Sequence, residues 1–312
     1  MASADITLPA SGPYAHLAGL IALRFPARQL RLERRSRALS LLSGPNKSNF
    51  RGRGIDFEEV RSYQPGDDIR TIDWRVTART GDAHTKMFRE ERERPVLVVI
   101  DQRNRMFFGS RHCFKSVLAA QLGALLCWSA LENGDRVGGL VFNDRQHRDI
   151  RPRRSRKTVL ALLSELISYN QALPDGETPA QNFVDVLSKM RRVARPGSSV
   201  YIVSDFAGFE RDGAAEHLYQ LAQHTEVTAL CCSDPLESEL PRAGNYVVTD
   251  GQQRVVLNTA TKSLRSRFQA QASARHEMLT QVLQPLGIPL LKASTAQSPF
   301  QLLQTYYGDS RR

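Results

Sequence analysis

Aliphatic runs alternate with amphipathic stretches along the chain from residue 95 onward. Short runs such as "PVLVVID" (95–101) and "SVYIVSDF" (199–206) are bounded by turn signals and predict buried strands. Stretches with apolar residues every three or four positions predict helices between them. This alternation is typical of an α/β fold with a doubly wound, mostly parallel sheet and helices on both faces. The predicted strands are 95–101, 136–143, 199–206, 226–234, 245–249, 254–257 and 287–294, and the predicted helices are 110–132, 158–168, 183–193, 214–224, 262–284 and 299–306.

The first 92 residues follow a different pattern. Residues 14–42 have helical periodicity with a break at Pro26, which predicts an N-terminal helical region within 1–42. The segment 43–92 mixes glycine, proline and close-set charges, but it holds too many aromatic residues for a disordered linker. We therefore expect three parts: a helical region 1–42, a polar segment 43–92 that docks on the core and ends in a short strand at 85–91, and an α/β domain 93–312.

The chain is basic. It has 43 lysines and arginines against 32 aspartates and glutamates, a net charge of +11. This excess favours an acidic partner, which could be nucleic acid, an anionic membrane surface or an acidic protein. The charge is spread along the chain, which weakens the nucleic-acid interpretation. The densest basic cluster, "RDIRPRRSRK" (148–157), is interpreted as a solvated loop between a strand and a helix, with a binding patch as the alternative.

The longest nearly apolar stretch, residues 116–131, is interrupted by Gln121. It falls short of the roughly 20 residues that a membrane helix needs, so we predict a buried helix and no transmembrane segment. The N-terminal residues lack the pattern of a secretory leader, and none of the four cysteines forms a CxxC pair. These features together predict a cytoplasmic protein with free thiols.

Acidic residues follow two of the predicted strands. Asp101 ends "VLVVID", and Asp205 follows "VYIVS". Because ligands of such sheets bind outside the carboxyl ends of the strands, both carboxylates are expected at one rim. Thr178, in "DGETPA" just before a helix, could reach the same rim. Two carboxylates and a hydroxyl are hard oxygen ligands that suit Mg²⁺ or Mn²⁺.

The order of these elements resembles a von Willebrand factor type A-like domain, and the preceding segment resembles a more specific family. "GRGIDFEEVRSYQPGDDIRTIDWRVTARTGDAHTKMFREERE" closely resembles the signature of the bacterial domain-of-unknown-function family number fifty-eight. The resemblance extends over roughly residues 40–305. The matching positions are Gly52, Gly54, Phe57, Glu58, Arg61, Tyr63, Pro65, Gly66, Asp67, Asp68, Arg70, Ile72, Asp73, Trp74, Ala78, Arg79, Lys86 and Glu90.

The resemblance implies a role in protein interaction without catalysis. Proteins of this family are often encoded beside AAA+ ATPases of the MoxR type and are thought to act with them in assembling or activating client proteins. In the von Willebrand-like domain, the contact is often made through a metal ion at a metal-ion-dependent adhesion site. The resemblance therefore implies a MoxR-type ATPase and a client as partners.

The chain departs from the adhesion-site pattern, which is Asp-x-Ser-x-Ser at the first strand end. Asp101 is present, but Arg103 and Arg105 replace both serines, while Thr178 and Asp205 match the remaining elements. A divalent ion about 4 Å from one guanidinium would be repelled by roughly 8 kcal/mol at an effective dielectric of 20. We expect a degenerate, metal-free site. The two arginines either bind an acidic group of a partner or only lock the loop.

The segment "YQPGDDIRTIDW" is interpreted as mainly structural. Its Pro-Gly turn precedes two aspartates, and alternating Arg and Asp residues predict a salt-bridged network with Tyr63 and Trp74 as apolar anchors. No nucleophile, histidine or glycine-rich phosphate loop stands beside the aspartates, so an enzyme is disfavoured. Two alternatives stay open: a nucleic-acid-binding protein that uses the basic surface, and a hydrolase with a metal at Asp101 and Asp205.

Overall fold

A computed structural model describes residues 6–32, 55–64, 69, 72–90, 94–172, 183–210, 213–249 and 254–308 of the 312-residue chain. The chain forms two compact units. The smaller comprises residues 49–94, and the larger comprises residues 1–48 and 95–312. Thr178, Pro65, Gly66, Asp67, Asp68 and Arg70 lie outside the described residues.

The larger unit is built on a six-stranded sheet with the order β10-β7-β6-β3-β4-β5. Five strands run parallel, and β5 is the antiparallel edge strand beside β4. Its strands are β3 (Pro95–Asp101), β4 (Arg136–Phe142), β5 (His147–Arg153), β6 (Ser199–Ser204), β7 (Glu226–Ser233) and β10 (Leu290–Ser294). Strands β8 (Asn245–Thr249) and β9 (Arg254–Asn258) form a separate antiparallel ribbon.

Helices cover both faces of this sheet and bury a core on each side. The long apolar helix α4 (Lys115–Glu132) is buried along nearly its whole length, as predicted for residues 116–131. The fold class is therefore confirmed as α/β, and the arrangement is consistent with a von Willebrand factor A-like fold. The helices of this unit are α1 (Leu17–Ala22), α2 (Arg24–Ala27), α4 (Lys115–Glu132), α5 (Arg156–Gln171), α6 (Phe183–Val193), α7 (Ala214–Ala222), α8 (Pro235–Ser238), α9 (Lys262–Leu283) and α10 (Pro299–Tyr307).

The interpretation of residues 148–157 as a loop is wrong. Most of this cluster lies in β5, and Ser155 then caps α5 by accepting a hydrogen bond from Lys157 N. The strand was missed because its arginines break the apolar pattern. A charged strand is tolerated here because β5 is an edge strand, and edge strands are protected from aggregation by charge.

Residues 6–32 pack against the long helix α4. The Trp128 indole nitrogen donates a hydrogen bond to Leu20 O at 3.0 Å, and the Ser129 hydroxyl donates to Leu30 O at 3.1 Å. The predicted helix over 14–42 is represented by α1 and α2 only, since 33–42 lies outside the described residues. This N-terminal stretch is part of the core of the larger unit.

The smaller unit contains an antiparallel pair of strands, β1 (Ile55–Ser62) and β2 (His84–Glu90). Between them lies α3 (Trp74–Thr80), which is capped by the Asp73 carboxylate through Arg75 N and Val76 N. The helix ends at Gly81, whose φ of 85° suits a residue without a side chain. Strand β2 matches the strand predicted at 85–91. Strand β1 was not predicted, because "IDFEEVRS" does not alternate cleanly.

Candidate functional site

Two neighbouring parallel strands carry the predicted aspartates to one rim of the sheet. Asp101 ends β3, and Asp205 directly follows β6, the strand paired with β3. The strand order reverses at this point, so the rim lies where ligands bind in doubly wound sheets. Both carboxylates are buried, with side-chain exposures of 0% and 4%. Six charged side chains form what we call the rim cluster: Asp101, Arg103, Arg105, Lys115, Asp205 and Glu237.

Arg103 lies inside the rim and joins the two aspartates. Its Nε is 3.0 Å from each Asp101 carboxylate oxygen, and its Nη2 is 2.6 Å from Asp101 Oδ2 and 3.4 Å from Asp205 Oδ1. The third donor, Nη1, bonds Ala207 O at 2.8 Å. The guanidinium carbon lies 4.9 Å from the centroid of the Phe183 ring. The Arg103 side chain is only 6% exposed, so it locks the loop rather than facing solvent.

Lys115 is a second buried cation of the rim, and sequence reasoning missed it. Its Nζ lies 3.0 Å from Asp205 Oδ2 and 2.6 Å from Glu237 Oε1, and its side chain is 1% exposed. Lys115 is the first residue of the apolar helix α4, and the start of this helix lies at the rim. The sequence signal for this cation is a single lysine at the start of an apolar helix. Because buried lysines are rare unless they are paired, such a lysine indicates an acidic partner nearby.

Arg105 differs from both buried cations. Its Nε donates to Asp205 Oδ2 at 3.0 Å, but half of its side chain is exposed. Within the part of the chain that the structure describes, its two terminal nitrogens have no hydrogen-bond partner. Arg105 is therefore oriented by Asp205 and still has its outer donors available.

Further hydrogen bonds fix the rim backbone. The Ser204 hydroxyl donates to Asp101 Oδ2 at 2.6 Å and accepts from Phe206 N at 2.9 Å. Phe206 has a φ of 54°, which is an uncommon conformation for a residue with a side chain. The same turn lets Ala207 N donate to Asp205 Oδ1 at 3.0 Å. The loop after β6 is thus shaped to hold both aspartates in place.

Glu237 is positioned by the short helix α8. Asp234 caps this helix, with Leu236 N donating to Asp234 Oδ1 and the Asp234 amide donating to Glu237 Oε2. Asp234 also accepts from Ser110 N at 2.9 Å and from the Thr295 hydroxyl. Glu237 therefore bonds to the Asp234 amide with one carboxylate oxygen and to Lys115 with the other. These two bonds connect the end of β7 with the start of α4.

The electrostatics of the rim favour the ionised forms of Asp205 and Lys115. Burial alone would raise the pKa of Asp205, but the positive charges of Lys115, Arg105 and Arg103 outweigh it, and the pKa lies well below its usual value. Burial would likewise lower the pKa of Lys115, but the charges of Asp205 and Glu237 raise it. The cluster has three negative and three positive groups, so it is neutral as a whole.

The residues of the rim do not fit a divalent cation. Such an ion would have to lie between the Asp101 and Asp205 carboxylates, where the Arg103 guanidinium bonds both. Lys115 holds the other oxygen of Asp205. Among the described residues, no group of three or more His, Cys, Asp or Glu side chains is arranged to bind a metal. Thr178, the third predicted ligand, lies outside those residues.

The predicted signature residues that are described lie in the smaller unit. Arg61 and Tyr63 belong to β1 and the residues after it, while Asp73 caps α3. Trp74 was expected to be an apolar anchor, but it is 68% exposed at the first position of α3. Arg79, near the end of that helix, is exposed as well. The aspartates predicted to pair with these arginines, other than Asp73, are outside the described residues.

Comparison with known proteins gives one family and several relatives. The chain matches the model of the family described as "Protein of unknown function DUF58" over residues 59–278. It is 30% identical over 286 residues to an uncharacterized protein of Mycobacterium bovis and equally similar to one of Mycobacterium tuberculosis strain H37Rv. Each alignment covers 91% of this chain and 89% of the relative.

Solved structures give weaker matches. The conserved hypothetical protein BatB of Bacteroides thetaiotaomicron has a TM-score of 0.33 at 13% identity and covers 62% of this chain and 98% of its own. An aerotolerance-related membrane protein of Bacteroides fragilis has a TM-score of 0.42 at 13% identity, with coverage of 68% and 96%. An uncharacterized membrane spanning protein of Vibrio fischeri has a TM-score of 0.22 at 15% identity, with coverage of 62% and 98%.

The prediction of a cytoplasmic location needs correction. Two of these three structures are described as membrane proteins, which contradicts it. Across the described residues, no helix combines the length and the apolar character needed to cross a bilayer.

Proposed function

This chain belongs to the DUF58 family, and we propose that it is a non-enzymatic protein-interaction adapter whose contact surface is the rim at β3 and β6. Neither the family description nor the names of its curated relatives mention a catalytic activity. The proposed partners are an AAA+ ATPase of the MoxR type and a client protein. That part of the proposal rests on the family resemblance of the signature residues.

The exposed end of Arg105 is the observation that carries the proposal. Asp205 holds Arg105 by its Nε, and the outer half of the side chain faces solvent. A guanidinium can bind a carboxylate through two parallel hydrogen bonds. Because Asp205 already restrains the side chain, less conformational entropy is lost when a partner carboxylate binds. An acidic side chain of the partner is therefore the expected ligand of Arg105.

The rim is poorly suited to hydrolysis. Asp101 accepts hydrogen bonds from Arg103 and from the Ser204 hydroxyl, and Asp205 is bound by cations on both of its oxygens. A general base needs a pKa near the working pH, whereas the pKa of Asp205 is lowered. A metal-activated water would need the space that Arg103 fills. These contacts support a binding role over a catalytic one.

A cavity of about 800 Å³ adjoins the rim through Asp205 and gives a partner segment room to approach. Strand β7 and helices α8 and α9 line it. Its wall holds two cations, Arg275 of α9, whose Nη2 lies 3.5 Å from Asp205 O, and Lys292 of β10. It also holds five carboxylates, those of Asp205, Asp234, Glu237, Glu239 and Glu277, so the wall is acidic as a whole. The expected contact with an acidic side chain is therefore assigned to Arg105 itself and not to the wall of this cavity.

A quantitative pull-down tests this proposal. The tagged chain is incubated with nuclease-treated extract of its native host, with and without a non-hydrolysable ATP analogue, and bound proteins are measured by mass spectrometry. Arg105→Ala is compared with Arg111→Ala, which removes the same charge from an exposed position of the same loop. We expect a MoxR-type ATPase or its client to be recovered about tenfold less by Arg105→Ala, as for the loss of one charge-assisted pair.

The controls separate the contact from the fold. Arg111→Ala should recover the ATPase as the unmodified chain does, and thermal unfolding should show both variants folded. Failure to recover any AAA+ ATPase in either nucleotide state would overturn the partner assignment. Equal recovery by Arg105→Ala and Arg111→Ala would overturn the assignment of Arg105 as the contact.

A further inference from the structure

The opposite end of the sheet, at the amino ends of β3, β4 and β6, holds a cavity of about 400 Å³. Strand β5 forms one side, the end of α6 forms another, and the loop before β6 closes the base. We call it the arginine pocket. Its lining residues are Pro95, Arg136, Asp149, Arg151, Pro152, Arg153, Arg192, Val193, Arg195 and Ser198.

Five arginines line this pocket against a single carboxylate, that of Asp149. The lining charge is therefore 5 − 1 = +4. Within the described residues, none of the five guanidinium groups forms an ion pair. Like charges held close together disfavour each other unless an anion is present. The positive charge of the pocket is therefore suited to binding an anion.

Two buried polar atoms at the pocket lack a partner. Ser198 is fully buried, and its Oγ has no hydrogen-bond partner in the described structure. The Nε of Arg136 is buried and unpartnered in the same way. An unsatisfied buried polar group costs roughly the desolvation of that group, so such atoms call for an explanation. A ligand oxygen at the pocket floor would accept from both.

The strand geometry is adapted to form this pocket. In the pairing of β4 with β5, Val137 lies opposite Arg153 and Gly139 opposite Ile150, so β5 has one extra residue beside Gly138. A Cβ at Gly138 would lie 2.4 Å from Ile150 O, so only glycine allows this approach. Bulges at sheet edges commonly redirect side chains. Here the bulge contains Arg151, which lines the pocket.

We propose that the arginine pocket binds the phosphate group of a small molecule. A guanidinium fork matches the oxygens of a phosphate, and several forks around one cavity can bind different oxygens of one group. The Ser198 hydroxyl and Arg136 Nε would bind its innermost oxygens. A buried hydroxyl at the floor suits a compact group that enters the cavity, whereas a duplex nucleic acid would contact the exposed arginines alone. This inference is independent of the proposed adapter function.

Calorimetric titration in chloride buffer at constant ionic strength, with inorganic phosphate and with pyrophosphate, tests the proposal. The first variant, Arg151→Gln/Arg195→Gln, removes two exposed charges from the pocket. Arg265→Gln/Arg267→Gln removes two exposed charges from α9 and is the matched control. Ser198→Ala tests the floor without changing any charge. A short DNA duplex, titrated at two salt concentrations, tests the polymer alternative.

We expect saturable phosphate binding that weakens about tenfold or more in the pocket double variant and about threefold to tenfold in Ser198→Ala, while the control binds as the unmodified chain. Three results would overturn the proposal. They are the absence of saturable binding of either anion, equal weakening by the pocket and control variants, and tight binding of the duplex alone with steep salt dependence.

Discussion

The two ends of the central sheet differ in how their cations are paired. At the carboxyl ends, Arg103 and Lys115 are bonded to Asp101 and Asp205, and the rim cluster is neutral. At the amino ends, the five arginines of the arginine pocket have no ion-pair partner among the described residues. Where the chain itself supplies the counter-charge, the cation already has its ionic partner. Where the chain supplies none, the cations are available to bind an anion from solution.

This contrast separates structural charge from functional charge. Removing one partner of a buried pair leaves an uncompensated charge in a poorly solvated place, which costs several kcal/mol. Removing an unpaired, exposed arginine relieves repulsion and costs little. The same type of substitution should therefore have very different effects at the two ends. Arg105 is intermediate, because it is paired through Nε and exposed at its outer end.

The largest effect is expected for Arg103→Ala. This change leaves Asp101 buried without its cation, so we expect the free energy of unfolding to fall by about 3–5 kcal/mol. Urea denaturation would measure it. Arg105→Ala is the matched control, and it should lose no more than about 1 kcal/mol because its pair is half-exposed. Equal losses in the two variants would contradict the division of roles between Arg103 and Arg105.

A smaller effect is expected in the pH dependence of stability. The pKa of Asp205 is lowered in the folded chain, so its stabilisation is complete above its unfolded pKa of about 4 and is lost as the pH falls below that. Asp205→Asn should be less stable at neutral pH, yet it should lose stability less steeply between about pH 5 and pH 3. The slopes would differ by up to about 1.4 kcal/mol per pH unit.

Urea denaturation across this pH range measures both slopes. A curve for Asp205→Asn that is parallel to that of the unmodified chain would show that Asp205 is not held by its cations.

A still smaller effect is expected for Arg151→Gln/Arg195→Gln without added phosphate. Because these arginines are exposed and unpaired, the free energy of unfolding should change by no more than about 0.5 kcal/mol, and it should rise rather than fall at low salt. Denaturation at two chloride concentrations checks this. A loss of several kcal/mol would mean that these arginines are paired within the fold, and the contrast between the two ends would fail.

Much of the larger unit was predictable because its core strands are strongly apolar. Strand β3 and helix α6 have the bounds that the pattern predicted, and the placement of Asp101 and Asp205 at one rim followed from parallel strands. The substitution of serines by Arg103 and Arg105 already indicated an altered site. The prediction did not decide whether the two arginines lock the loop or bind a partner, because that depends on which side chain is buried, and burial depends on packing. In the structure, only Arg103 is buried.

The rest depended on contacts between residues far apart in the chain. Lys115 and Glu237 are 122 positions apart, and nothing local indicates that they meet. Strand β5 was hidden because its arginines obscure the alternation that identifies a strand. The arginine pocket combines β5 with the end of α6, so its charge became visible only when the sheet order was known.

Titration of Mn²⁺ into the chain tests most directly the claim that the rim is closed by its own cations. The account predicts no saturable heat at millimolar Mn²⁺ and no change in melting temperature with either Mn²⁺ or a chelator, because Arg103 and Lys115 fill the places of an ion. Saturable Mn²⁺ binding at micromolar concentration that Asp101→Asn abolishes would contradict the account.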